Sequence, residues 1–156
     1  MLKMSWIFMF MLLHLCDEAV ANCRNDFMSA LGSCYHFGNV PLGFTQAEHY
    51  CRQYEGHLVH IDSAQEDSFL KTYASGHPAQ FWWIGLTDLM AENHFLWIDD
   101  NTEAIFTDWG QDQPNGGIED CIVLDHKDGY RWHDYHCETQ MFPLCESKPS
   151  QIQIVG

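Results

Sequence analysis

Four words set the reading of this chain: Trp83-Ile84-Gly85-Leu86, Gln113-Pro114-Asn115, Glu119-Asp120-Cys121 and Trp132-His133-Asp134, in that order within 156 residues. Each alone is common. Their placement against the cysteines singles them out, because Cys121 closes the third word, the fourth falls between Cys121 and Cys137, and Cys23, Cys34, Cys51 and Cys145 frame the set.

Outward toward the N-terminus, Lys3 precedes the apolar run Trp6-Ile7-Phe8-Met9-Phe10-Met11-Leu12-Leu13 and the small-x-small pattern Ala19-Val20-Ala21. This is the form of a signal peptide over residues 1–21. The run is too short for a membrane anchor, and no second long run follows, so no membrane insertion is expected. Cleavage removes Cys16 and leaves six of the seven cysteines bound for an oxidising compartment. Three disulfides follow, and the lack of a Cys-x-x-Cys pair speaks against zinc. The rest suits a single domain, residues 22–147, with a short tail at 148–156. Weak ordering is expected at the start of the mature chain and from Ser147 onward, where Pro149 and polar residues follow the last cysteine.

Asp and Glu outnumber Lys and Arg by 22 to 7, a formal net charge of −15, and the basic residues are scattered. Nucleic acid is therefore not a partner. An acidic surface serves solubility in one reading and holds a divalent cation in the other.

Two capping-box words, Thr45-Gln46-Ala47-Glu48 and Ser63-Ala64-Gln65-Glu66, announce helices. Ala47, Tyr50, Cys51 and Tyr54 then recur at helical spacing, as do Phe69, Leu70, Tyr73 and Ala74 before Gly76 and Pro78. Short β-rich runs follow at Leu58 to Ile61, Phe81 to Leu86, Phe95 to Ile98, Cys121 to Leu124, Tyr130 to Trp132 and Met141 to Cys145. The pattern is α+β, helices early and strands late. From Asp99 to Asp120 the chain is polar, and a compact domain tolerates such a length as a functional or ion-ordered loop.

Together these residues resemble the C-type lectin-like domain over nearly all of the chain beyond residue 21. The resemblance implies two helices with small antiparallel sheets and a long calcium-binding loop region. It also implies the pairs Cys51-Cys145 and Cys121-Cys137, with Cys23-Cys34 for the longer form that carries an N-terminal hairpin. Six cysteines allow fifteen pairings, so spacing alone leaves the connectivity open.

Calcium takes six to eight oxygen ligands, and Gln113, Asn115, Glu119 and Asp134 supply four side chains of the right kind. The resemblance implies that these hold the main calcium ion, with Pro114 in a cis peptide aiming both flanking oxygens at it. A sugar with two neighbouring hydroxyls then binds the ion's free face and hydrogen-bonds Gln113, Asn115, Glu119 and His133. The family uses Glu-Pro-Asn for mannose-type and Gln-Pro-Asp for galactose-type sugars. Gln113-Pro114-Asn115 is neither, because two amides bound to the ion through oxygen offer only donors. An auxiliary calcium site is traced in Asp88, Glu92, Glu119 and Asp120, with Gly116 where another acid is usual; Asp88 and Glu92 read equally as solvated loop residues.

His133 stands where the family has Asn, and imidazole is a poor ligand for a hard cation. Calcium affinity of ~10⁻⁴ to 10⁻³ M is expected, and loss of the site is the other reading. Zinc held by His133 with Asp134 or His136 is a further alternative, and His133 could make binding sensitive to pH. A hydrolase lacks its signatures here: no His-Glu-x-x-His, no Gly-x-Ser-x-Gly and no free thiol. The words Trp83 to Leu86, with Trp97, Trp109 and Trp132, read as core beneath the loop, and Tyr130 or Tyr135 as the aromatic that stacks on a sugar.

The resemblance thus implies a secreted, extracellular, calcium-dependent carbohydrate-binding lectin with no enzymatic activity. Its partners would be sugar diols of microbial surface polysaccharide, recognised in innate immunity; oligomerisation is left open. The alternative is a sugar-independent domain binding protein or mineral in a matrix or biomineral role.

Overall fold

The computed structural model describes residues 22–150, so the expected signal peptide and residues 151–156 lie outside it. Among the described residues no helix is long and apolar enough to cross a membrane.

The first elements are strands Met28–Ala30 (β1) and Ser33–Phe37 (β2), an antiparallel hairpin with Ala30 opposite Ser33. Its two-residue turn, Leu31-Gly32, has positive φ at both positions (51° and 85°), the combination that matches the twist of the flanking strands. The residues themselves gave no strand signal here, because Leu31 is not a turn former. This is the N-terminal hairpin that the resemblance implies, and it places strands before the helices as well as after them, where the residue pattern put helices first.

Helix α1 spans Phe44–Gln53 and buries Phe44, Ala47 and Cys51. Its N-cap is Gly43, two residues before Thr45, with no side-chain cap, so the first capping box does not form. Glu48 has other work. Its Oε2 accepts the Leu58 N–H at 2.7 Å and its Oε1 accepts from Arg52 Nε at 2.5 Å, tying the helix to the strand His57–Leu58 (β3). Helix α2, Ala64–Ala74, starts as expected: the Ser63 hydroxyl accepts the Glu66 N–H at 3.3 Å, while Glu66 reaches back to the Asp62 N–H at 3.0 Å. Leu70 and Ala74 face the core, whereas Tyr73 is exposed.

The remaining strands are Phe81–Thr87 (β4), Leu96–Trp97 (β5), Cys121–Asp125 (β6), Arg131–Tyr135 (β7) and Phe142–Ser147 (β8). One eight-stranded sheet runs β1-β2-β8-β4-β6-β7, with β3 on β8 and β5 on β4. It is not wholly antiparallel. β4 and β8 pair in parallel at Trp82 with Phe142 and Trp83 with Pro143, which joins the two expected small sheets.

The disulfides pair as the resemblance implies: Cys23–Cys34, Cys51–Cys145 and Cys121–Cys137. Two apolar clusters fill the interior, one around Trp82, Trp97 and Trp132, the other around Phe44, Trp83 and the cystines of β6 and β8. Gly85 lets β4 lie against the chain after β3, since a Cβ there would sit 2.6 Å from the Leu58 carbonyl oxygen. Order persists past Ser147, which is buried and paired with Cys34, and Ser150 forms an antiparallel bridge with Asn22. The expected loosening is thus corrected for residues 147–150, where the two ends of the described chain hold each other, and its remainder, 151–156, lies outside the described residues.

Candidate functional site

Between β5 and β6 the polar stretch makes no strand, yet it is fastened at many points. Lys71 on α2 pairs with Asp67 at 2.6 Å and with Asp108 of the loop. Trp132 donates its indole N–H to the same Asp67 at 2.8 Å and carries Phe106, Trp109 and Trp97 edge-on around it. Burial raises the Asp67 pKa, and the Lys71 and Trp132 hydrogen bonds work against that rise. The three tryptophans thus lie beneath the loop, as the sequence predicts.

On this base the Gln113-Pro114 peptide is cis. Asp134 on β7 is buried, and its two oxygens accept the backbone N–H groups of Asn115 at 3.1 Å and Gly116 at 2.6 Å. The Asp134 N–H in turn donates to Gln113 Oε1 at 3.4 Å. Gln113, Asn115 and Asp134 therefore converge from two separate stretches. Glu119, in the following segment, has His136 Nε2 3.9 Å from its Oε1, and His136 Nδ1 lies 3.0 Å from the Ile118 carbonyl.

His133 is placed elsewhere. β7 alternates half-buried and buried residues, so His133 leaves the strand on the face opposite Asp134. Its Nε2 lies 3.1 Å from Asp128 Oδ2 and its Nδ1 3.8 Å from Asp125 Oδ2. Both Asp125 and Asp128 escaped the sequence reading. His133 and His136 have different partners, Asp125 and Asp128 for the one and Ile118 and Glu119 for the other.

The aromatic expectation is corrected too. Tyr130 is buried and donates its hydroxyl to the Ala74 carbonyl at 3.2 Å. Tyr135 packs on Phe81 and donates to Asp125 at 3.0 Å; burial, with Asp125, pushes its phenol up to about 12. Both hydroxyls are thus spent inside the fold.

The auxiliary set comes together more tightly. One potential ligand atom each from Asp88, Glu92 and Asp120 lies within 4.8 Å of the others. Asp88 is only 3 % exposed; its Oδ2 accepts the Asn93 N–H at 2.9 Å and its Oδ1 is buried with no partner. Burial, reinforced by the charges of Glu92 and Asp120, raises its pKa. A buried carboxylate with one orphaned oxygen, grouped with two more carboxylates, fits a hard divalent cation. Gly116, in place of the usual acid, has φ of 73° and would put a Cβ 2.8 Å from Glu92 Oε1. Glu92 Oε1 also accepts the Gly117 N–H at 3.1 Å, so the two candidate cation sites share one loop.

His60, Asp99 and Asp100 form the other such group among the described residues. Here both imidazole nitrogens are taken, by Asp99 at 3.1 Å and Asp62 at 3.1 Å, and the ring stacks on Trp97 at 4.3 Å. This is an ion-pair network bracing β5.

The match to known proteins agrees with this geometry. The family model for the lectin C-type domain matches residues 40–147. Perlucin of Haliotis laevigata is 36% identical over 130 residues, an alignment covering 81% of this chain and 83% of that protein. Human C-type lectin domain family 10 member A is 32% identical over 133 residues, covering 80% of this chain; the chain spans 40% of that longer relative. The carbohydrate-recognition domain of the mouse scavenger receptor C-type lectin superposes with a TM-score of 0.76 at 28% identity, over 83% of this chain and 100% of that one. With its three cystines, its cis Gln113-Pro114 peptide and a matched region that spans most of its length, this chain belongs to the C-type lectin domain family.

Proposed function

We propose that the chain is a secreted, calcium-dependent glycan-binding protein with no catalytic role, serving recognition of microbial surface sugars. The observation behind this reading is the joining of the Gln113 side chain and the Asn115 and Gly116 backbone to Asp134, across two separate stretches. Gln113, Asn115, Glu119 and Asp134 would hold the main ion, while Asp88, Glu92, Asp120 and the Glu119 carbonyl would hold the auxiliary one. Calcium, when bound, supplies coordination to two neighbouring sugar hydroxyls.

In this reading the side chains divide the contacts to a diol between donors and an acceptor. The Gln113 and Asn115 amides present N–H groups to hydroxyl oxygens, and Glu119 accepts a hydroxyl proton. One acceptor against two donors leaves a hydroxyl pair less completely satisfied than a balanced set does, so weak binding to single sugars is expected. Asp134 keeps the loop in place through its two backbone bonds and leaves recognition to the others.

The test is retention on sugar-agarose with calcium or with EDTA, in the parent and in Glu119→Ala. Retention lost in EDTA and in the variant supports the reading; a variant retained like the parent overturns it.

A second reading has its own support. Asp134 already spends both oxygens on backbone N–H groups, so the loop has an ion-independent anchor. In that reading the domain binds protein or mineral, and capture on carbonate or a protein ligand persists in chelator.

A further inference from the structure

Away from the loop, a cavity of about 630 Å³ opens where β2 ends and β4 and β8 begin. Ala79, Trp82 and Met141 are its buried parts, and Phe37, Phe81 and Phe142 its half-buried walls. The rings pack against one another. Phe37 stacks flat on His77 (4.8 Å, 11°) and meets Trp82 edge-on (5.0 Å, 87°), while Trp82 also contacts Phe142 at 5.7 Å. A largely apolar concavity of this size is the usual form of a small-molecule site.

Trp82 supplies the second observation. Its indole N–H is buried with no partner. The other indoles nearby are satisfied: Trp83 donates to the Leu42 carbonyl at 2.8 Å and Trp132 to Asp67 at 2.8 Å. Buried indole N–H groups ordinarily find an acceptor, and an unmet one costs free energy that an occupant's acceptor recovers. Among the described residues the one other orphaned buried side-chain atom is Asp88 Oδ1, in the cation cluster.

Charge narrows the occupant. In a chain of net charge −15, none of the lining residues is Asp, Glu, Lys or Arg. Polar lining comes from Asn39, Gln80 and Gln140 amides and the His77 ring. Lys127 lies on Phe81, 5.3 Å from the ring centre, and is not part of the lining. We propose that this cavity binds an uncharged, ring-containing small molecule whose single hydrogen-bond acceptor takes the Trp82 indole N–H, the indole turning toward it on entry. The site works without calcium and stands apart from glycan binding.

The probe is prodan, a neutral naphthyl ketone, titrated into the disulfide-bonded chain with and without EDTA. Saturable one-to-one binding with a blue-shifted emission, equal in both conditions, is expected. Trp82→Phe keeps an aromatic wall and removes the donor, so prodan binds about two- to tenfold more weakly, while dimethylaminonaphthalene, which lacks the ketone, binds both forms alike. Ala79→Leu, its fold checked by circular dichroism, fills the cavity and weakens both probes at least as much. No saturable binding to the parent, or equal prodan affinity in parent and Trp82→Phe, overturns the proposal.

Discussion

Asp88 concentrates the residue-scale question in one atom. Its carboxyl is held above the ordinary range by burial and by Glu92 and Asp120, so the metal-free protein gains stability at this residue as pH falls through the folded pKa, the reverse of a salt-bridged Asp. Asp88→Asn keeps an acceptor for the Asn93 N–H and removes the charge. Thermal melts are expected to show the metal-free variant at least as stable as the parent, and calcium titration to show affinity at this site reduced about tenfold or more, roughly 1.4 kcal/mol. A much less stable metal-free variant would mark Asp88 as purely structural. His60 sets a second dependence of the same sign, in a higher pH window. Burial works to lower its pKa, but the hydrogen bond and charge of Asp99, with Asp62, leave it raised. For Asp99, burial works upward, and the bond to His60 with the His57 and His60 charges leaves it lowered. The raised imidazole stabilises fully below about pH 6.5 and loses that contribution as pH rises through its folded value; the lowered carboxyl stabilises above about pH 4 and fails as pH falls. Urea unfolding should therefore find the parent less stable at pH 8 than at pH 5.5 by a margin that His60→Gln reduces.

Among the elements, the loop between β5 and β6 owes its shape to carboxylates acting as backbone or lysine partners. Asp134 holds Asn115 and Gly116, Glu92 holds Gly117, Asp128 holds Gln111, and Asp108 meets Lys71. Lys71→Met leaves Asp67 buried beside Asp108 without its cation, and should cost about 1.5–3 kcal/mol, with faster proteolysis inside the loop at unchanged disulfide content. Unchanged digestion would show that the tether does not restrain the loop. None of these bonds could be read from the sequence, because their partners are 17 to 37 residues apart and leave no local pattern. What was legible has a short period or a short motif: α2 with its Ser63 cap, the apolar strands β4 and β6, and the cis proline word. α1 misled because Thr45-x-x-Glu48 has the form of a capping box while Glu48 is spent on Leu58 and Arg52. The carboxylates of the site were legible as oxygen donors, but their division between ion and backbone was not.

On the scale of the whole molecule, cystines close loops of very different length. Cys51–Cys145 spans 94 residues and joins α1 to β8, whereas Cys23–Cys34 spans 11 within the N-terminal segment. Chain entropy alone predicts losses of about 4.7 and about 2.8 kcal/mol on replacing each pair with Ala. Guanidinium unfolding of the two variants should give that order; the reverse would mean that native packing around β2, and not loop closure, governs the smaller cystine. Topology explains why the recognition loop and the aromatic cavity are separable: one grows from the β5, β6 and β7 end of the sheet, the other from the starts of β4 and β8. The Asn22–Ser150 bridge has a practical outcome. Since these two residues already hydrogen-bond, with Ser150 N and Oγ both donating to the Asn22 carbonyl, a few glycines ligated between them would turn the domain into a backbone-cyclised ring. New termini could then be opened at the surface without disturbing the rest, giving a circular permutant proof against exopeptidases at its original ends.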